Sequence, residues 1–127
     1  MTVRKVLLVD DDVDDIELFL EALLELDAGI TCTHAKNGVD ALQTLTKTSL
    51  PDLIFMDINM PKMNGWDCLK ALKNDPHLKH IPIVMYSTSA HDTEVARALS
   101  LGAKCLFRKP HSFNELKNTL QKVIGLT

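Results

Sequence analysis

Residues 51–65 read PDLIFMDINMPKMNG, an apolar run that stops at a carboxylate and passes directly into a loop of proline, asparagine and glycine. The run from Leu53 to Met56 has no polar residue, which is typical of a strand buried on both faces of a parallel sheet. In such sheets, ligands bind just beyond the carboxyl ends of the strands. Asp57 occupies that position, so the pattern predicts that Asp57 is the reactive group.

Four further apolar runs alternate with helical segments along the chain. The runs are predicted as strands at residues 5–9, 30–35, 82–86 and 105–107. The helical segments are predicted to begin at Asp12, Asn37, Asn64, His91 and Ser112. Strands that alternate with helices imply a parallel sheet with helices on both faces. We therefore predict an α/β, flavodoxin-like (βα)5 fold with strand order 2-1-3-4-5, whose switch point lies between strands 1 and 3.

The helical periodicity also predicts which side chains face the core. On the first helix the predicted inward side chains include Phe19, Leu23 and Leu24, and on the fourth they include Ala98 and Leu99.

The composition bounds the protein class. At 127 residues, with 46% hydrophobic and 24% charged residues, the chain fits one domain with its own core. No apolar run approaches the length of a membrane span and the N-terminus lacks a signal-peptide pattern, so we expect a cytoplasmic protein that does not bind membranes. Three scattered cysteines without metal-ligand spacing are expected to be reduced thiols. Acidic residues dominate the first third and basic residues the last thirty, which does not favour direct nucleic-acid binding.

Polar side chains follow the other strand ends as well. Asp10, Asp11 and Asp12 follow the first strand, while Ser87 and Lys109 lie at the ends of the fourth and fifth. Singly, each has an ordinary explanation, such as acids at the positive end of a helix or a solvated lysine. Together they favour a Mg²⁺ site, because clustered carboxylates need a counter-charge and oxygen ligands suit this ion. A cation, a lysine and a hydroxyl around a nucleophilic aspartate favour phosphoryl transfer.

These same segments carry a resemblance to a known family. VDDD at 9–12, the stretch 51–65, IPIV at 81–84 and KP at 109–110 resemble the receiver domain of two-component response regulators, of the stand-alone, chemotaxis-regulator-like type. The resemblance implies that Asp57 accepts a phosphoryl group from a sensor histidine kinase or a histidine phosphotransfer protein.

The resemblance also implies roles for the neighbouring residues. Asp11 would be a direct Mg²⁺ ligand, Asp10 a mainly water-mediated one, and Asn59 would offer its backbone carbonyl beside Asp57. Asp12 lies outside this pair and is interpreted as a helix-start residue.

Lys109 would contact the phosphoryl oxygens, and its bond to Pro110 is a candidate cis peptide. Ser87 would be the switch hydroxyl, which moves to hydrogen-bond the phosphoryl group.

The sequence departs from the family pattern at the switch. Leu106 stands where receivers usually have an aromatic residue, and the adjacent Phe107 is expected to point to the opposite face of the sheet. Tyr86 or Leu106 is therefore expected to report phosphorylation differently. Thr88 stands where a small residue is common, which would narrow access to the phosphoryl group.

The resulting prediction is a receiver over residues 1–127 without an output domain, which signals by contact with an unknown downstream protein or by phosphorelay. It would not be an enzyme beyond self-catalysed phosphotransfer and autodephosphorylation. The alternatives are a degenerate receiver that only binds partners and an aspartate-nucleophile phosphohydrolase. The hydrolase would need a second acid where Asn59 stands, and a dinucleotide or flavin binder would need a Gly-rich first loop.

Overall fold

The computed structural model describes residues 2–125, in which five strands alternate with five helices. The elements are β1 (Lys5–Val9), α1 (Val13–Leu26), β2 (Thr31–Ala35), α2 (Gly38–Lys47), β3 (Leu53–Asp57), α3 (Gly65–Asn74), β4 (Ile83–Ser87), α4 (Asp92–Ser100), β5 (Cys105–Arg108) and α5 (Phe113–Gly125). All neighbouring strands are parallel, in the order β2-β1-β3-β4-β5. The predicted fold and strand order are confirmed. Within the described residues, no helix is long and apolar enough to cross a membrane.

The central strand β3 divides the core into two layers. All five of its residues are buried because β1 and β4 flank it and helices cover both of its faces. Ile54 and Met56 pack in the layer that includes residues of α2, α3 and α4. Leu53 and Phe55 pack in the layer that includes residues of α1 and α5. The two-residue period of a strand sends alternate side chains to opposite layers, so neither face of β3 can carry an unpaired polar group.

Four helices begin with a side-chain oxygen that accepts a hydrogen bond from a backbone N–H three residues later. The acceptor and donor pairs are Asp12 with Asp15, Asn37 with Asp40, Asn64 with Asp67 and Ser112 with Glu115. Such caps satisfy amide groups that the first helical turn leaves without an intrahelical partner, and each contributes about 1 kcal/mol. The capping residues are those that the sequence predicts as helix starts.

Two predicted core residues lie on the surface instead. Leu24 is 64% exposed and Leu99 is 52% exposed. Each follows a buried residue, Leu23 or Ala98, and one step along a helix rotates the side chain by about 100°. That rotation carries both leucines out of the arc that faces the sheet, so their predicted inward orientation is wrong.

Gly65 makes the closest approach between the α3 start and the strand that precedes it. A Cβ at this position would collide with the carbonyl oxygen of Asp57 and would lie 2.8 Å from Cα of Ile58. The Gly65 amide also donates a 2.8 Å hydrogen bond to the Ile58 carbonyl, which holds the two segments together.

We predict that Gly65→Ala lowers the free energy of unfolding by about 2 kcal/mol or more, because a buried overlap forces the backbone apart. Urea denaturation measures the change. Gly125→Ala is the matched control, since nothing lies within 4 Å of that position, and it should stay within about 0.5 kcal/mol of the parent. Equal losses in the two variants would contradict the steric explanation.

Candidate functional site

Three carboxylates meet at the carboxyl ends of β1 and β3. Oxygen atoms of Asp10, Asp11 and Asp57 all lie within 4.8 Å of one another. Asp10 and Asp57 are buried, whereas Asp11 is exposed. The two strands are neighbours in the sheet, so their ends bring together residues that are far apart in sequence. The structure therefore places these three predicted residues in one cluster.

The ammonium group of Lys109 supplies the positive charge of the site. Its Nζ lies 3.2 Å from Oδ2 of Asp10 and 3.6 Å from Oδ2 of Asp57. It also lies 4.7 Å from the centroid of the Tyr86 ring, a distance at which an ammonium is attracted to an aromatic face. Burial lowers the pKa of Lys109, but the hydrogen bond to Asp15 and the charges of three carboxylates outweigh it, and the pKa is raised.

The shortest contact of Lys109 is with Asp15, a residue that the sequence patterns do not indicate as part of the site. Oδ2 of Asp15, in the first turn of α1, lies 2.7 Å from the Lys109 Nζ. The i, i+4 spacing of helices gives no signal for it, because Asp11, four residues earlier, precedes the Asp12 cap of α1 and is not part of the helix. Asp15 is not one of the three carboxylates that group together as possible metal ligands.

Asp10 is held by donors on two sides. The hydroxyl of Tyr86 donates a hydrogen bond to Oδ2 of Asp10, and the backbone N–H of Asp12 donates to Oδ1 at 3.0 Å. Burial, and then the Asp10 charge, raise the pKa of Tyr86 far above its usual value, so the phenol stays protonated and remains a donor. This pairing compensates for placing a fully buried carboxylate beneath the site.

Ser87 and Asn59 lie at the same edge of the sheet. Asp57 is in register with Tyr86 on the adjacent strand, so Ser87 lies one residue further along, at the end of β4. Ser87 is buried, and its Oγ accepts a 3.4 Å hydrogen bond from the amide of Ser89. Asn59 is exposed, two residues beyond Asp57. The roles of Ser87 as a switch and of Asn59 as a carbonyl ligand stay predictions.

The two residues at the unusual switch position point in opposite directions. Leu106 is buried in the core layer that contains Met85, whereas Phe107 packs in the other layer. Phe107 stacks on Tyr86 with ring centroids 5.7 Å apart and an interplanar angle of 30°. The expected opposite orientation of these neighbours is confirmed, and Phe107 cannot replace an aromatic residue at position 106.

One expectation about the backbone is wrong. The described residues contain no cis peptide bond, so the Lys109–Pro110 bond is trans. The trans form is also the one that an X–Pro bond favours, by about 0.5–1 kcal/mol.

The raised pKa of Asp57 indicates that the side chains of the site supply too little positive charge for its carboxylates. The pKa of Asp57 is raised to about 7, chiefly because burial disfavours the charged form; the Lys109 charge opposes this rise and the Asp10 charge adds to it. The single lysine therefore does not balance the three carboxylates. Their oxygen atoms are hard donors close enough to share one ion, and Mg²⁺ is commonly bound by one or two carboxylates plus phosphate and water. The donor set fits a divalent cation of this kind.

Comparison with known proteins places this geometry in a family. The profile described as "Response regulator receiver domain" matches residues 6–121. The chain belongs to this family. It is a receiver domain of two-component signalling, a family whose members act as phosphoacceptors and interact with histidine kinases or phosphotransfer proteins and with downstream targets.

Curated relatives cover the receiver almost end to end. Chemotaxis protein CheY1 of Helicobacter pylori is 33% identical over 94% of this chain and 96% of its own length. The polar-differentiation response regulator DivK of Brucella anthropi is 31% identical over 96% of this chain and 97% of its own. The transcriptional regulatory protein CpxR homolog of Haemophilus influenzae is 35% identical over 94% of this chain, which spans only 50% of that relative.

Solved structures agree with the receiver fold. The phosphorylated cyanobacterial phytochrome response regulator RcpA superposes with a TM-score of 0.87 at 30% identity, covering 96% of this chain and 91% of RcpA. The Mn(2+)-bound form of response regulator Rcp1 gives 0.84 at 28% identity, covering 94% and 91%. Chemotaxis response regulator CheY4 of Vibrio cholerae gives 0.81 at 33% identity, covering 96% and 99%.

The raised pKa of Asp57 predicts a pH-dependent stability of the metal-free receiver. An acid whose pKa rises from 3.8 in the unfolded chain to about 7 in the folded one binds its proton more tightly when folded. Stability therefore falls as the pH rises through this window, and the full penalty is present above about pH 7. Asp57→Asn should stabilise the receiver on the order of 2 kcal/mol at about pH 8 and much less at about pH 5, in urea denaturation with a chelator.

Asp14→Asn is the charge-matched control for this experiment. Asp14 is an exposed residue of α1, so its replacement should leave the pH dependence of the parent in place. A stabilisation by Asp57→Asn that is the same at both pH values would show that burial does not hold the Asp57 proton.

Tyr86→Phe tests the support of Asp10. The variant keeps the ring beside Phe107 and removes the hydroxyl, so a buried carboxylate loses a donor and the receiver should lose about 1–3 kcal/mol. A double-mutant cycle with Asp10→Asn, measured by urea denaturation, isolates the pair. A coupling free energy near zero would refute a stabilising bond between these two side chains.

Proposed function

We propose that this receiver accepts a phosphoryl group on Asp57 from a sensor histidine kinase or a histidine phosphotransfer protein, in a Mg²⁺-dependent reaction. The observation that carries the proposal is the position of Asp57, which ends the central strand beside an ammonium group and two further carboxylates. Asp10 shares the cluster and the lysine, but its carboxylate is fully buried and already accepts hydrogen bonds from the Tyr86 hydroxyl and the Asp12 amide. The phosphorylated state named for RcpA, a similar protein, supports the same assignment.

The metal would be held by the carboxylates of Asp10, Asp11 and Asp57, with the backbone carbonyl of Asn59 as a further ligand. The ion, when bound, shields the negative charge of the carboxylates and of the incoming phosphoryl oxygens. The oxygen-only donor set supports Mg²⁺. The similar protein Rcp1 has been solved in an Mn(2+)-bound form, which also supports a divalent ion at this position.

The chain's own residues provide the transfer chemistry. A carboxylate oxygen of Asp57 attacks the phosphorus atom, the bond from phosphorus to the donor nitrogen breaks, and its electron pair stays on the donor imidazole. The Lys109 ammonium neutralises charge on the phosphoryl oxygens as the bond order shifts. The Ser87 hydroxyl then donates a hydrogen bond to the phosphoryl group. Autodephosphorylation would return Asp57 to the free carboxylate.

The readout would use the two core layers separately. A movement of Ser87 would displace its neighbours on β4. One of these, Met85, pairs with Leu106 on β5, and both pack in the same core layer. In the other layer, Tyr86 connects Asp10 to the stacked ring of Phe107. We infer that Leu106 and Tyr86 replace the usual aromatic switch. Residues 1–127 would act as one receiver unit in the cytoplasm, passing the signal to a downstream protein or along a phosphorelay.

The two alternatives fit the site less well. A degenerate receiver would be expected to lose an acid of the cluster or the lysine, and Asp10, Asp11 and Lys109 are all present and close together. A phosphohydrolase with an aspartate nucleophile would need an acid at position 59, where the chain has asparagine.

Incubation with Mg²⁺ and acetyl phosphate should add one phosphoryl group to the intact protein, as measured by mass spectrometry. Asp57→Asn and excess chelator should each abolish the addition, whereas Asp14→Asn should retain it.

Lys109→Gln should slow the transfer by at least about tenfold, because a charge-assisted contact of 1.5–3 kcal/mol is lost. Labelling of Asp57→Asn would disprove the assignment. Absence of labelling in the folded parent would favour the degenerate receiver, and sustained release of free phosphate would favour the hydrolase.

A further inference from the structure

The Lys109 ammonium forms its hydrogen bonds with two carboxylates other than the proposed phosphoacceptor. Its Nζ lies 2.7 Å from Asp15 and 3.2 Å from Asp10, both within hydrogen-bonding distance. The distance to Asp57 is 3.6 Å, which is an ion pair without a hydrogen bond. An ammonium group has three N–H donors, and two of them are directed to residues that do not receive the phosphoryl group.

The two competing partners differ in how easily they release the lysine. Asp10 is fully buried and is held by Tyr86 and by the amide of Asp12. The side chain of Asp15 is 35% exposed, so water can replace the ammonium if it leaves. Breaking the contact with Asp15 therefore costs less than breaking the contact with Asp10. Asp15 is the partner that the phosphoryl group displaces more easily.

We propose that Asp15 is a positioning residue that competes with the phosphoryl group for Lys109. This inference rests on the proposed function of Asp57. In the unphosphorylated receiver, Asp15 holds the ammonium toward the start of α1; on phosphorylation, the ammonium transfers to the phosphoryl oxygens and the Asp15 carboxylate is released to water. Asp15 thus weakens phosphoryl binding, and its release changes the charge distribution on the first turn of α1.

The test is the affinity of the receiver for beryllofluoride, an analogue of the phosphoryl group, in the presence of Mg²⁺. Fluorine NMR of the bound ligand measures the affinity without any turnover. Asp15→Asn should bind about three- to fivefold more tightly than Asp14→Asn, since a partly exposed ion pair contributes up to about that factor. Both variants remove one negative charge from the same helical turn, so the comparison removes the effect of net charge on anion binding.

Two further variants separate positioning from a general effect on structure. Asp15→Glu restores a carboxylate that can reach the ammonium, so its affinity should return toward that of the parent. Asp15→Ala removes the whole polar group, whereas Asp15→Asn keeps an amide, and both variants should bind beryllofluoride equally tightly. A nitrogen-15 spectrum of the Lys109 ammonium should also differ between the ligand-free parent and Asp15→Asn, and be unchanged in Asp14→Asn.

Equal affinities for Asp15→Asn and Asp14→Asn would overturn the inference, as would weaker binding by Asp15→Asn. Either result leaves the proposed function intact, because the parent still binds the analogue. A parent that binds no beryllofluoride and takes no phosphoryl group from acetyl phosphate would overturn the proposed function, and this inference with it.

Discussion

The balance of charge between one lysine and the acids at the end of β3 is the constraint on which the site depends. Two of these carboxylates, on Asp10 and Asp57, are buried, and burying a carboxylate charge is costly without a counter-charge. Lys109 supplies one positive charge and Tyr86 supplies a neutral donor, which together hold the ligand-free state. The negative charge that these two groups leave unbalanced fits the binding of a divalent cation by the clustered carboxylates.

The sheet could be predicted from local pattern because its central strands are continuous apolar runs bounded by polar residues. The helix starts could also be predicted, because Asn37 and Asn64 are typical capping residues and each caps the predicted helix that follows it. The acidic cluster followed from topology: parallel strands that are neighbours end at the same edge, so Asp10 and Asp57 had to meet. These features depend on one element or on the order of elements, which the sequence expresses directly.

Other features depend on how helices and strands pack against one another, and the sequence did not predict these features. Leu24 and Leu99 belong to apolar-looking helix faces, but the width of the arc that touches the sheet decides which side chains are covered. Asp15 could be placed on the helix start, whereas its contact with Lys109 depends on how α1 sits against the end of β5. The bond from Tyr86 to Asp10 has the same origin. Packing distances between elements set these pairs, and no spacing along the chain encodes them.

The burial of β3 at the centre of the sheet also divides the site by local stability. Backbone groups of a strand enclosed on both edges open only with much of the fold, while those of an edge strand open at lower free energy. Asp57 is attached to the first kind, and Lys109 follows β5, a four-residue edge strand. The carboxylate proposed to accept the phosphoryl group is thus fixed to the most enclosed strand of the sheet, whereas the lysine proposed to change partner follows an edge strand that is expected to open at lower free energy.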